Sequence, residues 1–205
     1  ATAAAATAAT MTVMAIPAAA AAASAPQPSK SSRSAALQMR QQMLKATRNA
    51  QSANEDDKPR LYESVIETYA QMVESNTLPE IDVIAINALV EAKAYNSGSA
   101  KASELLQALL DQHATVRPDH WTYIKLMQPL AKQPADLKQA FAFYEEMLEQ
   151  GIHPTVDVYN QLMTVATAAR DFEAADGLFT TMRERNVTVR GQTYLKYISG
   201  CFEAK

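Results

Sequence analysis

The residues able to do chemistry are few and scattered. Three histidines, His113, His120 and His153, have no cysteine or second histidine at metal-ligand spacing. His113 falls near a predicted helix end, His120 begins a helix and His153 lies in a junction, so capping or solvent exposure accounts for each. Carboxylates adjoin at Glu145-Glu146 and at Glu55-Asp56-Asp57. Neighbouring residues on a helix point to different sides, so neither group converges as an acid–base dyad must. Cys201 is the sole cysteine, which excludes an internal disulfide and favours a reducing compartment. Its place on the last predicted helix reads as small packing, not as a nucleophile. The chain has no glycine-rich phosphate loop and no Gly-x-Ser-x-Gly turn. No catalytic, cofactor-binding or metal-binding residue can be named. The expectation is a protein that is not an enzyme and carries no cofactor.

The elements around these residues repeat. Tyr123-Ile124-Lys125-Leu126-Met127 returns as Tyr159-Asn160-Gln161-Leu162-Met163, and in looser form as Tyr194-Leu195-Lys196-Tyr197-Ile198. A second pattern keeps step: Ala140, Phe143, Tyr144 and Met147 answer to Ala175, Leu178, Phe179 and Met182. Two apolar patterns alternating at one fixed period mean stacked helical hairpins, none of which buries its own face alone. Upstream, Ile86-Asn87-Ala88-Leu89-Val90 continues the first pattern, and Ala102, Leu105, Leu106 and Leu109 the second. Pro79, Pro118 and Pro154 fall between hairpins, where a residue without an amide donor punctuates helices. The spacing predicts helices over 60–75, 81–95, 100–113, 119–132, 136–150, 155–169, 172–185 and 190–203. The repeat core is expected to contain Tyr123, Leu126, Phe143, Met147, Tyr159, Leu162, Leu178, Phe179, Met182 and Tyr194. Trp121 reads as a packing residue. Met43, Met72, Met127, Met147, Met163 and Met182 read as flexible core filler.

Charge divides the chain. Residues 1–54 hold five basic residues (Lys30, Arg33, Arg40, Lys45 and Arg48) and no acid; the remainder holds 14 basic and 22 acidic residues, a net of −8. Fourteen of the first 24 residues are alanine, interrupted by Pro17 soon after Met11. This composition is that of an organelle import sequence, or else of a low-complexity tail. A stretch with no aromatic residue cannot build its own core, so 1–54 is expected to be an extension ordered on a partner, followed by a repeat domain over 55–205. Residues 34–53 can form a helix with Leu37, Met39, Met43 and Leu44 as its apolar face. It would lie on that partner, or serve as a degenerate first helix beside 60–75. No apolar run reaches membrane-spanning length, so direct membrane insertion is not expected.

The repeat resembles the pentatricopeptide repeat. Residues 154–188 carry the family's pattern in Tyr159, Asn160, Leu162, Met163, Ala175, Leu178, Phe179 and Met182, with Gly151 and Pro154 before them. Residues 118–153 follow through Pro118, Asp119, Thr122, Tyr123, Leu126, Ala140, Phe143, Tyr144 and Met147, and 81–117 more weakly. The resemblance implies an all-α, right-handed α-solenoid of about eight helices. It also implies two base-reading positions per repeat: one two residues after the first-helix tyrosine, the other three residues before the next.

Those positions hold Ala88 with His120, Lys125 with Val156, and Gln161 with Gly191. None of the three pairs is of the expected type, and alanine, valine and glycine have nothing with which to read a base edge. Lys125 and Lys196 read as solvated helix positions. An acidic body also repels phosphate. RNA is therefore not the expected partner. The expectation is an accessory subunit of a mitochondrial assembly on the matrix side, such as the short pentatricopeptide-type subunit on the F1 head of protist ATP synthase, touching its alpha or beta subunits. The alternative is an organellar single-stranded-RNA-binding protein or a mitochondrial ribosome subunit.

Overall fold

Aspartates open the helices and left-handed residues close them. Asp82, Asp119, Asp136 and Asp171 each accept the amide three residues on, at 2.9–3.0 Å, satisfying a donor that the first turn would leave free. Gly151, Arg170 and Asn186 take positive φ values of 73°, 59° and 54° just past three helix ends. The next amide then reaches back to the turn: Ile152 to the Met147 carbonyl at 3.0 Å, Asp171 to Ala166 at 2.9 Å, and Val187 to Met182 at 2.8 Å. Asp171 thus ends one helix and caps the next, which makes that hairpin tight.

This is a computed structural model, describing residues 30–74, 82–113, 116–132 and 135–203. Its helices are α1 (Lys30–Ser52), α2 (Lys58–Glu74), α3 (Val83–Ser97), α4 (Ser99–Gln112), α5 (His120–Met127), α6 (Leu137–Glu149), α7 (Val156–Ala168), α8 (Phe172–Glu184) and α9 (Gly191–Glu203). No strand occurs among the described residues. The helix expected over 119–132 tightens into a 3-10 turn at Gln128–Ala131, where Pro129 has no amide to continue the α pattern. The odd-numbered helices form one row, with α1 beside α3, α3 beside α5, α5 beside α7 and α7 beside α9. The even-numbered helices pack behind them, each on its own first helix. The architecture is an α-solenoid.

The core runs the length of the row. Tyr123, Leu126, Met147, Tyr159, Leu162 and Met182 are fully enclosed, and Phe143 and Leu178 nearly so. The Tyr144 and Tyr159 rings lie 6.0 Å apart with their hydroxyls 3.2 Å apart, so two buried phenols satisfy each other across adjacent hairpins. Phe179 is only partly buried. Tyr194 departs from its expected core place: it is 52% exposed, its ring stacked 5.5 Å from Phe179. In the earlier repeats a second helix covers this tyrosine, and none follows α9 among the described residues.

α1 crosses the expected domain boundary. Met43 and Ala50 lie in the same core as Tyr62, Val65 and Tyr69 of α2, so residues 30–52 supply the first helix of a hairpin with α2. Residues 1–29, with Pro17, Pro26 and Pro28, lie outside the described residues, as does the side chain of Cys201.

Truncating Tyr159 to alanine should lower the unfolding free energy by about 3–5 kcal/mol, with Tyr159→Phe far milder; urea unfolding followed by circular dichroism checks both. A second expectation concerns acid. His113 ends α4 with its Nε2 buried and without a hydrogen-bond partner. Desolvation holds its pKa below the usual imidazole range, so the folded state favours the neutral ring. Its contribution is present above the unfolded pKa of about 6.5 and is lost as pH falls through the lowered folded value. His113→Gln should therefore flatten the decline in melting temperature between pH 7 and 5.

Candidate nucleic-acid interface

Two adjoining hollows open where α1, α3 and α5 meet. The larger, about 430 Å³, is lined by Lys58, Tyr62, Tyr95, Gln128 and Lys132; the smaller, about 310 Å³, by Leu44, Arg48, Ile84, Asn87, Asp119 and Trp121. Gln51, Glu91 and Lys125 border both.

Glu91 is the hinge of this region. It is 7% exposed and accepts from three other helices. Gln51 Nε2 of α1 donates to both carboxylate oxygens at 2.9 Å, and the Tyr62 hydroxyl of α2 donates at 2.9 Å. Lys125 Nζ of α5 lies 3.0 Å away. A buried charge is tolerable only when paired and hydrogen-bonded in this way. Burial and the adjacent carboxylate push the Tyr62 phenol pKa well up, which keeps it a donor. Beside it, the Tyr95 ring lies 4.9 Å from Tyr62, and its hydroxyl donates to Glu55 at 2.6 Å. That bond raises the Tyr95 pKa to about 12. Lys132 Nζ sits 4.0 Å above the Tyr95 ring centre, a cation held over an aromatic face.

The smaller hollow combines apolar walls with a polar floor. Ile84 and Trp121 are 54% and 45% exposed. Between them, Asn87 Nδ2 donates to Asp119 at 3.1 Å, and the Thr122 hydroxyl donates to Asn87 Oδ1 at 2.6 Å. Asp119 is also the N-cap of α5, in a capping box with Thr122. Asn87 keeps one amide hydrogen and one carbonyl lone pair free of these bonds.

Of the positions expected to read bases, Ala88 and Lys125 line these hollows and the other four do not. Ala88 is buried, and His120 is half-buried with its ring 5.3 Å from Trp121. Lys125 is committed to Glu91; Val156 packs on the core; Gln161 donates to the Met127 carbonyl at 3.4 Å; Gly191 is exposed at the start of α9. No hydrogen bond joins the members of any of the three expected pairs among the described residues. The coupled pair sits one residue earlier on each side, Asn87 with Asp119. Its signal in the sequence is the asparagine that follows both Ile86 and Tyr159. Trp121 is corrected from packing residue to exposed wall. Neither lysine expected to be solvated is free, since Lys196 Nζ donates to Thr164 at 2.7 Å.

The other junctions are less complete. Ile124 occupies the Asn87 register at the α5–α7 junction and is buried. At the α7–α9 junction Asn160 Oδ1 is buried without a partner. No metal-holding cluster occurs among the described residues, and no described helix is long and apolar enough to cross a membrane.

Residues 110–169 match the pentatricopeptide repeat domain family. A pentatricopeptide repeat-containing protein of Arabidopsis thaliana is 33% identical over 103 residues, covering 46% of this chain and 20% of that protein. In fold, the chain is similar to the crystal structure of PPR10 from maize, with a TM-score of 0.62 and 20% identity over 82% of this chain and 22% of that one. It is equally similar to PPR10 in complex with an 18-nt psaJ RNA element, at TM-score 0.62 and 19% identity, over 82% of this chain and 28% of that one. The chain thus spans between 20% and 28% of the length of the proteins it matches. The expectation that RNA is not a partner is corrected here, because a structure of this fold is known with RNA bound. That expectation averaged charge over the whole body, whereas the residues lining the two hollows hold four cations and three carboxylates. The comparisons favour the RNA alternative over a subunit of a mitochondrial complex.

Replacing Glu91 with alanine strands the Lys125 ammonium and the Tyr62 hydroxyl. Unfolding free energy should fall by about 3–5 kcal/mol, as when one partner of a buried ion pair is removed. Glu91→Gln, which keeps the shape, should lose less in the same urea titration.

Proposed function

We propose that this chain, whose residues 110–169 match the pentatricopeptide repeat domain family, binds single-stranded RNA along its first-helix row, as a non-catalytic reader of an organellar transcript. The observation that carries the reading is the α3–α5 corner. Ile84 and Trp121 offer exposed apolar walls to the two faces of one unpaired base. Asn87 offers a donor and an acceptor side by side to its edge, and Asp119 fixes that amide's orientation. Lys132, over Tyr95, faces the hollow next door, where the adjoining phosphate would lie. The PPR10 complex with RNA supports the same use of the fold. The acid-free, alanine-rich amino-terminal composition supports an organelle, with the mitochondrion as the specific expectation.

Trp121 is the sole tryptophan, so its fluorescence reports on the corner directly. Titration with single-stranded oligoribonucleotides at low salt should quench it, and the matching duplex should not. Trp121→Ala should weaken binding of a labelled oligonucleotide by about 5- to 150-fold, the equivalent of one base stack of about 1–3 kcal/mol. Unchanged fluorescence together with no retardation of any single strand would remove the RNA reading.

A further inference from the structure

α1 contains Lys30, Arg33, Arg40, Lys45 and Arg48 and no acidic residue, in a chain that is otherwise acidic. Composition alone assigns that segment to targeting. The fold puts it at the interface instead. Leu44, Thr47, Arg48 and Gln51 fall at helical spacing and line the smaller hollow together with Trp121. Arg40, on the same stripe, bonds Asp82, the N-cap of α3, through Nε at 3.3 Å. Gln51 is anchored to the buried Glu91. The stripe is therefore held rigidly against α3. Arg48 is exposed and makes no ion pair among the described residues, and Lys45, one turn before it, is exposed too. Arg48 tips the balance around the two hollows: four cations (Arg48, Lys58, Lys125 and Lys132) face three carboxylates (Glu55, Glu91 and Asp119).

We propose that α1 is the phosphate-binding wall of the groove, with Arg48 and Lys45 carrying the backbone of the strand whose base enters the α3–α5 corner. This rests on the RNA reading above. It assigns to the amino-terminal helix the counter-charge that the repeat body lacks, since binding to a polyanion requires cations that displace its counterions. The base corner then selects, and α1 supplies affinity without reading sequence.

The test uses the full chain with Lys45→Gln and Arg48→Gln combined, Arg48→Lys as the charge-keeping variant, and Lys101→Gln with Lys138→Gln on second helices as the control. Binding of a labelled single-stranded oligoribonucleotide is followed from 50 to 200 mM salt. The α1 double variant should reduce the slope of log affinity against log salt by about 1.4, from about 0.7 per lost phosphate contact. Arg48→Lys and the control should keep the original slope, and preference among bases should not change. A double variant that melts normally yet keeps the full slope would overturn the α1 wall while leaving RNA binding intact. If the unaltered chain binds no single strand at all, the wall and the reading beneath it both fall.

Discussion

A carboxylate removed from water costs several kcal/mol unless donors surround it, and Glu91 is such a carboxylate. Gln51, Tyr62 and Lys125 bring it donors from α1, α2 and α5, while Glu91 itself sits on α3. Four helices are fixed to one another by the need to satisfy a single buried charge. Both hollows take their shape from this arrangement, because Gln51, Glu91 and Lys125 border each. A purely apolar contact would hold the helices together but would allow them to slide. Directional bonds to one carboxylate set their register.

The rest of the solenoid is held by apolar interlock. Tyrosines of the first helices lie under second helices, and methionines fill the gaps between hairpins. This part of the fold repeats, and so do its caps. The polar junctions between first helices do not repeat. Arg40 reaches Asp82, Asn87 reaches Asp119, and Ile124 reaches nothing polar. A repeat architecture can therefore be regular in its core and uneven in its interface, since packing needs the same shapes at every step while recognition needs chemistry at only some.

Much of the fold was legible. Period and amphipathic spacing located eight helices because burial on one face of a helix imposes that spacing on the residues themselves. The departures have local causes: Pro129 tightened one helix end, and among the described residues no helix follows α9 to cover Tyr194. The interface was far less legible. Asn87 and Asp119 are 32 residues apart and meet only when α3 and α5 are stacked. Which face of the helix Asn87 occupies, against its neighbour Ala88, depends on how the row is packed. A register counted from the tyrosine could not settle that. Lys125 looked solvated because its partner, Glu91, lies a full hairpin away in the chain.

The sequence by itself determined the helical hairpin, its period, its apolar faces and its resemblance to the pentatricopeptide repeat. These depend on contacts within a repeat or between identical surfaces, so the pattern of residue types encodes them directly. Only the tertiary structure decided that α1 belongs to the row, that Trp121 faces outward, and that opposite charges from distant segments meet at Glu91. Those outcomes follow from how unlike repeats stack, and each depends on groups that become neighbours only after the hairpins have packed.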